Sequence, residues 1–362
     1  MNFSSDFVCW VEMLHEGATT CFILEHLTQS ILVSFSIRQG DPLAMLLFIV
    51  YIEPLLVSLE QRLSGIQLIE PFQVKEVLEA YCDDLNILTN DIDDFVKIDS
   101  EVQKFERVSG AILSRSTKSK AMGFGRWKNR ENWPIPWIST VKNLKIFGIY
   151  VTDNYGEMLE LNWDFRLKKF NSALFSWSAR SLTFQQRIEV ISTFALSRVY
   201  YVASILPIRK GMVKQFEAQI GKFLWKGPFS LFRIPLDELK NKKMDGGLQV
   251  PCLAVMGRSL LISQCLRLLK ISDPYYLNHV DYWLGPLLVN VKPGMGQMAH
   301  NPSDNPYFSE LGDGLASIMI SDFLTADSLK NLTNKQIYSH LAEFPVPKIV
   351  REAPRDRKYK PV

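Results

Sequence analysis

Hydrophobic positions in this chain change their spacing several times, and each change predicts an element. Ser4-Ser5-Asp6 caps a short helix with Phe7, Val8, Trp10, Val11 and Leu14 on its apolar side and Gly17 at its end. Residues 20–24 and 31–35 are rich in strand formers and read as two strands. Asp41 is a good N-cap, and Pro42 fits a first helical position, where its missing N–H is not needed. The helix from Leu43 to about Val57 is mostly apolar, which predicts burial, and Pro54 should kink or divide it. Two strand-like runs, Val77 to Ala80 and Leu85 to Leu88, flank Tyr81-Cys82-Asp83-Asp84. That pattern predicts a β-hairpin with Asp83-Asp84 at the turn.

Helical spacing dominates further on. Trp163, Leu167, Phe170, Leu174 and Trp177 line one side of a helix whose other side carries Arg166, Lys168 and Lys169. A second helix, about Phe184 to Ser204, turns Ile188, Ile191 and Ala195 inward and ends before Pro207. A third has Val213, Phe216, Ile220 and Phe223 on one face and stops at Gly227-Pro228. Short links between the three predict a small bundle. Residues 252–270 read as a helix, 285–310 as a loop or linker, and a last helical piece lies near Ser317 to Leu341. Residues 345–362 hold six bases, two acids and several prolines, the composition of a disordered tail.

Composition adds limits. A chain of 362 residues, 47% hydrophobic and 22% charged, is globular, with room for two or three domains. The net charge of +3 hides an uneven distribution. Residues 51–110 hold 13 acids against 5 bases, and residues 165–245 hold 15 bases against 5 acids. An acidic block followed by a basic one suggests a metal site beside a surface for a polyanion. Lys168, Lys169, Arg187, Arg209, Lys210 and Lys214 are the leading candidates to meet a phosphate backbone, with salt-sensitive binding. The five cysteines have no paired spacing, which points to a reducing, intracellular compartment; nucleus and cytoplasm are not distinguished. The first ten residues carry no basic signal-peptide region, and the apolar run Leu43 to Ile52 is too short to span a bilayer, so no membrane is expected as a partner.

The hairpin acids carry the sharpest chemistry. Neighbouring side chains diverge within a strand but can converge at a tight turn. Two carboxylates held close resist ionising unless a cation sits between them, and a hard ion such as Mg2+ fits oxygen ligands. The plain alternative is ordinary turn composition. In Arg38-Gln39-Gly40, the glycine permits close backbone approach to a ligand, and Arg38 beside a helix N-terminus favours a phosphate.

Arg38-Gln39-Gly40-Asp41-Pro42, followed by Ala80-Tyr81-Cys82-Asp83-Asp84, resembles motifs B and C of reverse transcriptases, closest to those of LINE-type, non-LTR retrotransposons. Cys82 stands where that family usually has alanine. Phe105 to Ser114 resembles its motif D, Leu144 to Ile149 its strand-like motif E, and Trp177 to Tyr201 its thumb.

The resemblance implies an α+β fold in three parts. Residues 1–158 would be a partial right-hand polymerase palm, a small antiparallel sheet with helices. Residues 159–245 would be a basic, all-α thumb-like bundle, and 246–362 a mostly helical C-terminal region. It implies RNA-directed DNA polymerase chemistry, with an RNA template, a DNA primer and two Mg2+ ions held by palm carboxylates. Asp83 and Asp84 would be the metal ligands, and Arg38, Gln39 and Gly40 would lie against the incoming nucleotide. Thr117 stands at one expected motif D lysine position, which makes the neighbouring Lys118 the candidate to protonate pyrophosphate.

One element departs from the family pattern. The motif A aspartate should lie on a strand ahead of the first helix, and Asp6 at that helix's start does not match it. The expectation is therefore a truncated polymerase, inactive alone. Two readings compete with it: a non-catalytic RNA- or DNA-binding protein derived from a retroelement, and an enzyme completed by an upstream fragment of the same polyprotein.

Overall fold

A computed structural model describes residues 3–23, 27–32, 41–67, 75–115, 118–226, 234–270, 274–288, 305–319, 333 and 336–338. The chain divides into two compact units, Met1–Val141 and Lys142–Val362. Arg38, Gln39, Gly40, Thr117, the Gly227-Pro228 stop and the basic tail lie outside the described residues.

The first unit begins with α1 (Ser5–His15), where the Ser4 hydroxyl accepts the Phe7 N–H, and Gly17 follows it at φ +66°. A short antiparallel pair comes next, β1 (Thr19–Thr20) with β2 (Ile31–Leu32). The next helix starts later than expected, at Ala44 with Leu43 at its N-cap position; Asp41 turns the chain into it, its carboxylate accepting the Leu43 N–H at 2.8 Å and its carbonyl accepting from Ala44.

Helix α2 (Ala44–Arg62) departs from expectation twice. It runs unbroken through Glu53 and Pro54, so the proline does not divide it and the apolar segment is longer than ten residues. By length and composition it is long and apolar enough to cross a membrane. It is also largely uncovered: only Leu55 and Leu59 are buried, while Met45, Leu46 and Ile49 are about half exposed or more. Apolar composition promises burial only where a second surface packs on it, and among the described residues the helical surface that covers α2 lies against its C-terminal half. That surface is α3 (Asp94–Ser109), whose Ile98 and Val102 form a small core with Leu55, Leu59 and Leu63.

The hairpin of β3 (Leu78–Tyr81) and β4 (Asp84–Ile87) stands on this core through Val77, Leu78, Leu85 and Ile87. Gly65, at φ +65°, makes the turn into it: a Cβ there would sit 2.7 Å from the Glu76 carbonyl, which accepts the Ile66 N–H. The unit closes with β5 (Lys120–Ala121) paired to β6 (Ser139–Thr140), in parallel. Every ladder among the described residues, here and in the second unit, is two-stranded.

The second unit begins with an antiparallel hairpin, β7 (Leu144–Ile146) and β8 (Ile149–Val151), and continues into α4 (Tyr155–Ser178). Asn162 of α4 is buried and clamps β8: its side chain accepts the Tyr150 N–H at 2.8 Å and donates to the Tyr150 and Met158 carbonyls. The next helical run has three pieces, α5 (Phe184–Val190), a π turn (Ile191–Ala195) and α6 (Ser197–Ala203). Thr183 and Gln186 start it with a reciprocal capping box. Then come α7 (Lys210–Trp225), the short α8 (Leu236–Lys240) and α9 (Leu253–Leu268).

Trp163, Phe170, Ile188, Ile191, Ala195, Phe216 and Ile220 meet in one core, on the faces that the periodicity assigned inward. Two later helices, α10 (Pro274–Leu288) and α11 (Pro306–Met319), occupy both ends of the predicted linker 285–310, and α11 begins well before Ser317. Each opens on a proline, which reads as a loop signal in sequence but is favoured at a first helical position.

Candidate functional site

The hairpin turn falls one residue earlier than expected. Tyr81 pairs with Asp84, so Cys82 and Asp83 make the two-residue turn and Asp84 is the first residue of β4. Cys82 has φ +54°, a left-handed conformation that non-glycine residues rarely adopt. Such strain persists only where surrounding structure imposes it, and it concentrates at functional sites. Asp83 and Asp84 are both exposed, and neither carboxylate has an ion-pair or hydrogen-bond partner among the described residues.

Other acids of the acidic block behave differently. Asp94 is fully buried and accepts from the Ser64 N–H at 2.8 Å, the Ser64 hydroxyl at 2.6 Å, the Thr89 hydroxyl at 2.5 Å and the Lys97 ammonium at 2.7 Å. Burial pushes this carboxyl upward, but those donors outweigh it and hold its pKa at about 2. Asp94 thereby ties the end of α2, the segment after β4 and the start of α3 into a firm base for the hairpin. Glu101 is equally committed, to Lys104 at 2.6 Å, Ser58 at 2.7 Å and Arg62 at 2.9 Å, and these hold its pKa low. Glu106 pairs with Arg115, which lowers its pKa too. So these acids serve structure, and the acidity of the block does not by itself mark a metal site.

The fit to Mg2+ can be judged from these donors. No group of three His, Cys, Asp or Glu side chains among the described residues could hold a metal ion. Asp83 and Asp84 alone are too few to cage two cations, so the donor set among the described residues does not fit a two-metal centre. Lys118 lies exposed in a turn after Arg115.

The basic candidates divide in two. Lys168 and Lys169 are exposed on α4, with the Lys169 ammonium 5.6 Å from the Phe165 ring. Arg209, Lys210 and Lys214 gather at the start of α7, where the helix has no side-chain cap and no acid in its first turn. Among the described residues, the ion-pair contact of Arg209 is a long, exposed one to Glu160 at 3.5 Å. Arg187 is spent on the fold instead: its guanidinium donates to the Leu224 carbonyl at 2.6 Å and the Leu182 carbonyl at 3.1 Å, closing the C-terminus of α7. Lys240, part of the basic surplus, is likewise held between Glu217 at 2.6 Å and Asp237 at 2.7 Å.

Sequence reasoning missed a set of arginine–aromatic contacts. In the first unit Arg130 lies over both Trp127 and Trp133, and Arg126 over Trp127. In the second, Arg180 lies over Trp177 at 4.2 Å. The available signal was the alternation of Arg and Trp within short segments, such as Arg126-Trp127 and Trp177 to Arg180.

No model of a known protein family matches the chain. Over 290 residues it is 27% identical to the Transposon TX1 uncharacterized 149 kDa protein of Xenopus laevis, a match covering 75% of this chain. The same match covers 21% of that relative, so the chain spans about a fifth of its length. This likeness to a transposon-encoded protein supports a transposon origin for the chain.

Proposed function

We propose that this chain is the template- and primer-holding part of a retrotransposon reverse transcriptase, and that it does not polymerise by itself. The observation that carries the reading is the β3–β4 hairpin. Its strained Cys82 and two uncommitted carboxylates stand on a base locked by Asp94, while neighbouring acids are neutralised inside the fold. The exposed bases of α4 and α7 supply a second unit suited to a phosphate backbone. The likeness to a transposon protein supports the same origin.

In this reading Asp83 and Asp84 contribute ligands to a centre that needs further carboxylates. The residues of this chain hold the strand and present the two acids.

A primed RNA template offered with deoxynucleotides and Mg2+ or Mn2+ tests the reading. The purified chain should bind the template–primer in a salt-dependent way and extend it no further than the Asp83→Ala, Asp84→Ala double variant does. Extension above that variant would refute inactivity. Binding that ignores salt, or no binding at all, would refute the holding role.

A further inference from the structure

Several aromatic side chains in the second unit stay at the surface, Phe175 among them, and three others are of interest together. Phe194 and Tyr201 are each 46% exposed, and Trp177 is half-buried beside Phe194. Phe194 sits in the π turn, where the Leu196 N–H reaches back five residues to the Ile191 carbonyl. The wider turn leaves Phe194 at the surface while Ile191, Ala195 and Leu196 around it are buried. Its ring centroid lies 4.7 Å from that of Trp177, and the Arg180 guanidinium lies 4.2 Å from the Trp177 ring.

On the other side, Arg198 follows one turn later and donates from Nε to the Phe194 carbonyl. Tyr201 comes next on that face and donates its hydroxyl to the Phe147 carbonyl. Phe147 and Gly148 both have positive φ, +44° and +85°, and form the β7–β8 turn. Arg166 fixes the same turn by donating to the Gly148 carbonyl. Contacts therefore run from Arg180 through Trp177 and Phe194 to Arg198, and Tyr201, further along α6, reaches the hairpin tip.

We propose that Trp177, Phe194 and Tyr201, with Arg180 and Arg198, form a stacking strip for the unpaired bases of a single-stranded polynucleotide. The proposal deepens, and rests on, the reading of this unit as a holder of nucleic acid. Three features favour it over simple helix packing. Packing alone does not require Phe194 and Tyr201 to be half exposed. The rings alternate with arginines, and between residues 176 and 206 there is a single acid, Glu189, against Arg180, Arg187 and Arg198. The exposed parts of Phe194 and Tyr201 are aromatic surface that the faces of unstacked bases can meet, whereas a duplex presents edges and phosphates.

The test uses the full chain and a short fluorescein-labelled oligothymidylate, with a duplex of equal length beside it, read by anisotropy over a salt series. Phe194→Leu should weaken single-strand binding on the order of 10-fold, because one base loses its platform, and leave the salt slope unchanged. Duplex binding should not respond. Arg180→Gln should lower the salt slope by about one. Crosslinking the unaltered chain to a bromouracil-substituted oligomer removes any concern about folding, and adducts are expected at Trp177, Phe194 or Tyr201. Equal losses on single strand and duplex, or adducts confined to other residues, overturn the strip while leaving salt-dependent binding intact. A chain that binds neither polynucleotide overturns the holding role itself.

Discussion

The two units handle apolar surface in opposite ways. In Lys142–Val362, Trp163, Phe170 and Phe216 are almost wholly buried and meet edge to face, with Phe170 and Phe216 centroids 5.1 Å apart. In Met1–Val141, α1 buries none of its residues, and Trp10 and Met13 are about 60% exposed. The first unit is instead held together by polar devices, the Asp94 and Glu101 networks. Hydrophobic burial is the main stabilising term in folding, so the second unit has the ordinary foundation of a stable domain. The first depends on a small core and on charges that must stay ionised.

The largest test of this contrast is Phe216→Ala. It should destabilise the second unit by about 3–5 kcal/mol in denaturant unfolding, as expected for a fully buried aromatic. Leu46→Ala, on the exposed part of α2, should change stability by less than about 0.5 kcal/mol. Similar losses for the two substitutions would erase the distinction.

Next in size is Asp94→Ala, expected to destabilise the first unit by about 3 kcal/mol, since Lys97, Ser64 and Thr89 lose their shared acceptor. The same residue gives a pH prediction. Its pKa is lowered from 3.8 to about 2 on folding, so its contribution is present above the unfolded value and is lost as pH falls from about 4 toward 2. A hydrogen-exchange profile of residues 58–109 should lose protection across that window in the unaltered chain but not in Asp94→Ala. Unchanged protection down to pH 2 would remove Asp94 as the keystone.

A smaller effect separates the arginine that serves structure from the bases that serve binding. Arg187→Gln should lower stability by about 1–2 kcal/mol through its lost carbonyl contacts. Lys168→Gln and Lys169→Gln should leave the melting temperature unchanged and weaken polynucleotide binding. A modest effect is expected at the hairpin. Cys82→Gly should stabilise by up to about 1 kcal/mol by relieving the positive φ, and Cys82→Val should do the reverse.

Much of the second unit was legible because amphipathic spacing reports directly on which face is buried. Trp163, Phe170, Ile188 and Phe216 lie inside as their spacing requires. The π turn was not legible, because it shifts register without any composition signal. The exposure of α2 was hidden for a different reason: its apolar residues describe the helix, while burial depends on what packs against it. The hairpin was legible to within one residue, since Asp83-Asp84 and Cys82-Asp83 are equally plausible turn pairs and only the Tyr81–Asp84 pairing decides. Proline misled at Pro306, which starts α11 where a loop was expected. The commitment of Asp94, Glu101 and Arg187 was only partly legible: Lys97 and Lys104 stand three residues after their acids, but Ser64, Ser58 and Arg62 are distant in sequence and the partners of Arg187 are backbone carbonyls.

The claim on which the rest depends is that the second unit is built to hold a polynucleotide backbone. The salt dependence of template–primer binding by the full chain measures this directly. The account predicts a steep fall in affinity with salt, with the slope reduced by about one for each of Lys168→Gln, Lys210→Gln and Lys214→Gln. A slope near zero, or one that these substitutions leave unchanged, would contradict it.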